Sequence, residues 1–168
     1  MKLLFSNIIG NGSKDLIVLH GFLGMGDNWK SFAIKFSNIG YKVHLLDQRN
    51  HGRSFWDEEF NYKTLSIDLL NYIDYYKIKN PIVLGHSMGG KTAMQFAFDF
   101  PEKIKKLIVV DIVPKKYKQS HIDILKGLSV LDFNKLKTRD SVDIELSKYV
   151  KENPIRQFLL KNLYWSSK

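Results

Sequence analysis

The run Gly85-His86-Ser87-Met88-Gly89-Gly90 restricts the fold more than any other part of this chain. Before it, Pro81-Ile82-Val83-Leu84 is short, apolar and partly β-branched, as a strand buried in a parallel sheet would be. After it, Lys91 to Phe100 reads as a helix that Pro101 stops. A Gly-x-Ser-x-Gly turn in that setting lifts its serine onto the tip of a strained bend, hydroxyl exposed above the sheet. Gly85 and Gly89 are required because side chains there would collide across so sharp a turn. The pattern makes Ser87 a candidate nucleophile; an ordinary glycine-rich turn without chemistry is the alternative.

Strand-like and helix-like segments alternate through the first two thirds of the chain, as in an α/β domain with a parallel sheet. A first strand is expected near Lys2–Ile9, ending in Gly10-Asn11-Gly12, and Leu16-Ile17-Val18-Leu19 reads as a central strand. Asp27 is expected to cap a helix carrying Trp29, Phe32, Ala33 and Phe36, with Gly40 just past its end. Val43-His44-Leu45-Leu46 is the next strand, and Thr64 is expected to cap a helix whose stripe is Leu65, Leu69, Tyr72, Ile73 and Tyr76. Leu107-Ile108-Val109-Val110 closes a doubly wound, mostly parallel sheet. Residues 1–114 are thus expected to form an α/β core. Residues 115–168 carry only helical patterns: Ile122 to Leu128, a segment capped by Ser141, and one opened by Asn153-Pro154. They read as a helical insertion, expected to act as a lid over the carboxyl edge of the sheet.

Composition narrows the function classes. With 168 residues the chain has room for one domain with a real core, and no apolar run approaches the length of a membrane span. The apolar opening Leu3-Leu4-Phe5 is broken by Ser6, Asn7, Gly10, Asn11 and Gly12, so no leader peptide is expected. Zero cysteines exclude disulfides, a thiol nucleophile and thiolate metal sites, and agree with a cytoplasmic location. The net charge of +9 raises the question of nucleic acid, yet only four of the 26 basic residues are arginine. The lysines are scattered, the tightest groups being Lys103-Lys105-Lys106 and Lys115-Lys116-Lys118, so a solvated surface with a mild pull on anionic substrates is expected. Nucleic-acid and membrane partners are not expected.

In an open α/β sheet the active site lies at the carboxyl ends of the strands, and four features fall there. Besides Ser87, the loop His20-Gly21-Phe22-Leu23-Gly24 follows a central strand. The backbone N–H groups of Phe22 and of Met88 are suited to an oxyanion hole, helped by a helix N-terminus; a plain glycine turn is the alternative. His20, Gly21, Leu23 and His86 are candidate substrate contacts. The run Asp47-Gln48-Arg49-Asn50-His51-Gly52-Arg53-Ser54 reads as a turn pinned by a buried Asp and Arg. Asp111 ends the strand after the nucleophile strand, in the right chain order for a triad acid; a turn or capping role is its alternative. A base is harder to find. Only His121 follows Asp111, at the start of the first insertion helix. The side chain of His86 should point away from the neighbouring hydroxyl, and His20, His44 and His51 read as structural.

Taken together, His20–Gly24, Asp47–Ser54, Gly85–Lys91, Val110-Asp111-Ile112-Val113-Pro114 and, in the helical part, Gln157–Lys161 resemble the α/β-hydrolases, and more narrowly the YbfF-type bacterial esterases. The resemblance covers essentially the whole chain. It implies Ser87 as nucleophile, Asp111 as triad acid, Phe22 and Met88 as oxyanion donors, and activity on short acyl esters and acyl thioesters without metal or organic cofactor. Family members continue past the helical cap into two more strands, with the catalytic histidine after the last. By that standard the chain is expected to be truncated and a poor catalyst, with possible self-association through an exposed sheet edge. The rivals are a carbon–carbon lyase or hydrolase using the same serine, and a catalytically silent fragment acting by association.

Overall fold

The computed structural model describes residues 2–117 and 121–165, so Met1 and Lys118 lie outside the described residues. The chain divides into two compact units, Met1–Pro114 and Lys115–Lys168. In the first, strands and helices alternate: β1 (Ser6–Ile9), β2 (Lys14–Leu19), α1 (Lys30–Ser37), β3 (Tyr41–Leu46), α2 (Tyr62–Tyr75), β4 (Ile82–His86), α3 (Met88–Asp99) and β5 (Lys106–Val110). The sheet order is β1-β3-β2-β4-β5. Edge strand β1 runs antiparallel to β3, and every other pairing is parallel.

Strand alternation separates two cores. Leu16, Val18, Val43, Leu45 and Leu84 pack with Ala33 of α1 on one face. Ile17, Leu19, Leu46 and Val83 pack with Leu69, Tyr72 and Ile73 of α2 and with Ala93 and Phe96 of α3 on the other. The crossover through α1 carries the chain from β2 out to β3, and the crossover through α2 carries it back past β2 to β4. The winding therefore reverses between β2 and β4, which leaves their carboxyl ends side by side with no helix between them.

The second unit contains α4 (Ile122–Ser129), α5 (Arg139–Leu146) and α6 (Asn153–Leu160), with no strand among its described residues. Val142, Leu146 and Leu160 form its own small core, joined by Leu128, Leu131 and Leu136.

Several expected boundaries move for identifiable reasons. β1 begins at Ser6 because residues before it face a turn instead of β3: Phe5 N–H donates to Ser54 Oγ, and its carbonyl accepts from Asp47 N–H. Asp27 caps nothing. It lies inside a short 3₁₀ turn, where it accepts from Asn7 and Arg53, while the Asn28 side chain accepts the Met25 N–H. Thr64 and Ser141 are not caps either, but third residues of their helices. The caps are Asn61 and Thr138, and each pair exchanges hydrogen bonds in a capping box. Asn153 is the first residue of α6, behind Glu152.

β5 is the outer strand of this sheet, and Leu107 and Ile108, on opposite faces of it, are 39% and 40% exposed. An antiparallel partner centred on Ile108 would set Lys106 opposite Val110, so no like charges would meet. We propose that two copies pair at this edge. Light scattering after size-exclusion chromatography is expected to give a dimer or larger species, shifted toward monomer by Ile108→Lys; a monodisperse monomer would rule out the pairing.

Candidate active site

The turn at Ser87 has an unusual backbone. Ser87 sits at φ 51° and ψ −113°, between the end of β4 and the first residue of α3. A non-glycine residue there is strained by on the order of 1–3 kcal/mol, so the surroundings must hold it. They do so by close packing. A Cβ on Gly85 would run into the Gly89 carbonyl, so these two glycines allow the chain to fold back on itself. A Cβ on Gly89 would strike the Leu19 and His20 carbonyls of the adjacent strand end, a constraint between segments as well as across the turn. Ser87 N–H donates to the Val110 carbonyl at 3.0 Å, tying the bend to the end of β5. Ser87 is half-buried, and α3 starts directly after it, so the Met88 N–H belongs to the helix's first, unbonded turn.

The loop after β2 lies against this bend. A Cβ on Gly21 would stand 2.9 Å from His86 Nδ1 and 3.5 Å from Ser87 Cβ. A turn closes with Gly24 N–H on the Gly21 carbonyl at 3.0 Å, and Leu23 takes a left-handed φ of 59°. Two histidines fix the loop. His20 Nε2 accepts the Gln48 N–H at 3.0 Å, which leaves Nδ1 to donate to the Gly21 carbonyl at 2.8 Å. His51 Nε2 accepts the Leu23 N–H at 3.2 Å, and its Nδ1 donates to the Arg49 carbonyl at 2.9 Å. The His51 ring also meets Phe22 edge-on.

The segment after β3 thus acts as a clamp. Gln48 donates to the His20 carbonyl at 2.8 Å and accepts from Thr92 of α3 at 2.9 Å, linking the loop to the helix that follows Ser87. Asp47, fully buried, accepts from Gly26 N–H at 2.7 Å and Arg53 N–H at 2.9 Å. Arg49 meets Asp68 of α2 with two nitrogens. This is the pinned turn expected of Asp47–Ser54. Its hold on the loop was not expected, because the partners lie 28 and 44 residues apart in sequence. His20, expected to contact substrate, is instead 1% exposed with both ring nitrogens engaged inside the fold, and acts to position the loop.

Asp111 directly follows β5, at the same sheet edge as Ser87, since His86 and Val110 are register partners on parallel strands. It has a φ of 57°, and its carboxylate is 3.7 Å from His86 Nε2. His86 turns its ring toward Trp29. His44 is buried, bonded to Asp15 and Tyr72. None of the first unit's histidines has a hydrogen bond to the Ser87 hydroxyl among the described residues. His121 stands before α4 in the second unit.

Residues 15–151 match the α/β-hydrolase fold family. A Haemophilus influenzae protein named as an esterase/lipase is 36% identical over 148 residues, 88% of this chain and 51% of that one. A Danio rerio sn-1-specific diacylglycerol lipase is 34% identical, over 97% of this chain and 54% of its own. The Escherichia coli esterase YbfF is 29% identical, over 90% and 60%. The chain thus spans about half the length of the curated relatives it matches. The solved structure of a marine microorganism esterase superposes with a TM-score of 0.94 at 40% identity, covering 99% of this chain and 66% of that one.

Burial holds the His20 pKa down at about 4, below its ordinary 6.5, and lowers His51 and His44 in the same way. Below pH 6.5 the unfolded chain takes up protons that the folded chain refuses. The stability these neutral rings contribute is therefore complete above about pH 6.5 and is lost as pH falls toward 4, by about 3 kcal/mol for His20. Urea unfolding at pH 7 and pH 4.5 is expected to show a smaller acid loss in His20→Asn than in the parent chain. Equal losses would contradict the assignment.

Proposed function

Because the chain belongs to the α/β-hydrolase family, we propose that its first unit carries the nucleophile half of a serine esterase site acting on acyl esters or acyl thioesters. The observation that carries the proposal is the strained Ser87 at the strand-to-helix bend, beside the loop clamped by His20 and His51. Ser87 Oγ attacks the acyl carbonyl carbon and passes its proton to a base, while the carbonyl π pair moves onto oxygen. The Phe22 and Met88 N–H groups receive that oxyanion, aided by the N-terminal end of α3. The C–O or C–S bond of the substrate then breaks, the leaving group takes the proton, and water releases the acid from Ser87.

Asp111 is proposed as the acid that orients the base. The base itself is not assigned to a first-unit histidine: His20, His44 and His51 have both ring nitrogens engaged, and His86 faces Asp111. Triad members act as a unit, so without a base the rate falls to the residual ~10³–10⁴-fold over water. The names of the relatives favour ester hydrolysis over carbon–carbon cleavage. A catalytically silent chain acting by association is the second reading, favoured by the unassigned base.

External imidazole separates the two. With p-nitrophenyl acetate alone, turnover is expected to be slow and nearly equal for the chain and Ser87→Ala. Added imidazole is expected to accelerate the chain beyond Ser87→Ala, with an acetyl group mapped to Ser87 by mass spectrometry. Equal imidazole effects, with acetyl groups on lysines only, would favour the silent reading. A large imidazole-free rate lost in Ser87→Ala would show that the base is already in place.

A further inference from the structure

At the opposite edge of the sheet from Ser87, where β2, β4 and β5 begin, the surface opens into a cavity of about 250 Å³. Ser13, Lys14, Asp15, Lys79, Asn80 and Lys105 line it. β4 alone separates this edge from the serine, by roughly 16 Å at the usual rise per residue, so the cavity is distinct from the ester site. It is also smaller than the usual drug-sized pocket, a scale that suits a compact ion or headgroup.

Its polar groups form a consistent set. Lys14 rides over the Tyr41 ring, with its ammonium 5.6 Å from the centroid. Among the described residues, no hydrogen bond or ion pair engages the Lys79 or Lys105 ammonium, the Ser13 hydroxyl or the Asn80 side-chain amide. Two lysines with unengaged ammonium groups, Lys79 and Lys105, and two neutral donors, Ser13 and Asn80, therefore line the cavity. The Lys14 ammonium lies toward Tyr41, on the other face of the sheet from the Asp15 carboxylate. The single acid is differently placed. Asp15 Oδ1 accepts from His44 Nε2 at 3.0 Å, and His44 Nδ1 in turn accepts from the Tyr72 hydroxyl at 2.9 Å. His44 is fully buried, and its lowered pKa leaves it neutral, so it orients the Asp15 carboxylate without cancelling its charge. Asp15 Oδ2 has no partner among the described residues, and Asp15 is one of the residues lining the cavity.

A surface of donors with one fixed acceptor selects among anions. Lysine ammonium groups bind phosphate-type oxygens as point charges, and the neutral donors add direction. The carboxylate repels a fully deprotonated anion but accepts a hydrogen bond from one that keeps a proton. Hydrogenphosphate carries that P–OH at neutral pH, and a phosphate monoester carries it in the fraction that has not lost its second proton, whereas sulfate carries none. We propose that this cavity binds a protonated phosphate group, free or at the head of a phosphomonoester lipid, with Asp15 Oδ2 accepting its proton. Lys79, Lys105, Ser13 and Asn80 hold the remaining oxygens.

Isothermal titration at pH 7 with sodium phosphate and with sodium sulfate, at equal ionic strength, tests this directly. Phosphate is expected to saturate one site per chain, with sulfate at least about tenfold weaker. The Lys79→Gln/Lys105→Gln pair should weaken phosphate by about tenfold or more, and Asp15→Asn should bring sulfate close to phosphate. Far-UV circular dichroism and urea midpoints check that each variant folds. The lysine pair, which touches no core contact, keeps the test valid if Asp15→Asn does not. Flotation with phosphatidylcholine vesicles containing phosphatidic acid or phosphatidylserine separates the sources. Recruitment by phosphatidic acid alone, lost in the lysine pair, assigns the lipid headgroup; phosphate binding without vesicle uptake assigns the soluble ion. Absence of phosphate binding, equal affinity for sulfate, or binding indifferent to the lysine pair would overturn the proposal.

Discussion

The arrangement at the carboxyl edge of the sheet depends on how closely α3 can approach the ends of β2 and β4. With side chains at Gly85 or Gly89, the Gly89 and Leu19 carbonyls would be displaced, and the helix would begin further from the sheet. Without that approach nothing would hold Ser87 in a conformation most residues avoid. The strain, on the order of 1–3 kcal/mol, is small against the packing of Ala93 and Phe96 on the sheet, which fixes the same helix from its other side. The result is a serine on a rigid corner, immediately beside a helix N-terminus and the loop after β2.

That loop has no regular structure of its own and is held from outside. Two neutral histidines accept backbone N–H groups from Gln48 and Leu23, and Gln48 carries the connection onward to Thr92 of α3. The loop and the helix after Ser87 are therefore fixed by one buried polar network rather than independently. Such a network stabilises only while its acceptors stay unprotonated, and burial ensures that by lowering the pKa values of both rings. On the proposed reading of this loop as an oxyanion site, its preorganisation is linked to pH through His20 and His51, whose ring nitrogens are all engaged within the fold.

Much of this was legible in the sequence, and the pattern of success has physical causes. The bend at Ser87 could be read because a short apolar strand, a glycine-flanked serine and a helix ended by proline leave one way to connect them. The parallel sheet followed from the alternation of segments. Helix starts were displaced by three residues at Thr64 and Ser141, because a capping box uses hydroxyl or amide side chains at both of its ends. The direction of the His20 side chain was not legible: its place beside the loop says nothing about which way it turns, and the acceptor it offers is used by Gln48, 28 residues away. The identity of a base is a question of three-dimensional placement for the same reason.

The central claim is that Ser87 and the loop at Phe22 form one oxyanion-stabilising site. A crystal structure of the chain after reaction with a fluorophosphonate in the presence of imidazole tests it most directly. The account predicts a phosphonyl group bonded to Ser87 Oγ, with its oxygen within hydrogen-bond distance of both the Phe22 and Met88 N–H groups. A phosphonyl group on another residue, or on Ser87 with its oxygen turned away from both amides, would contradict it.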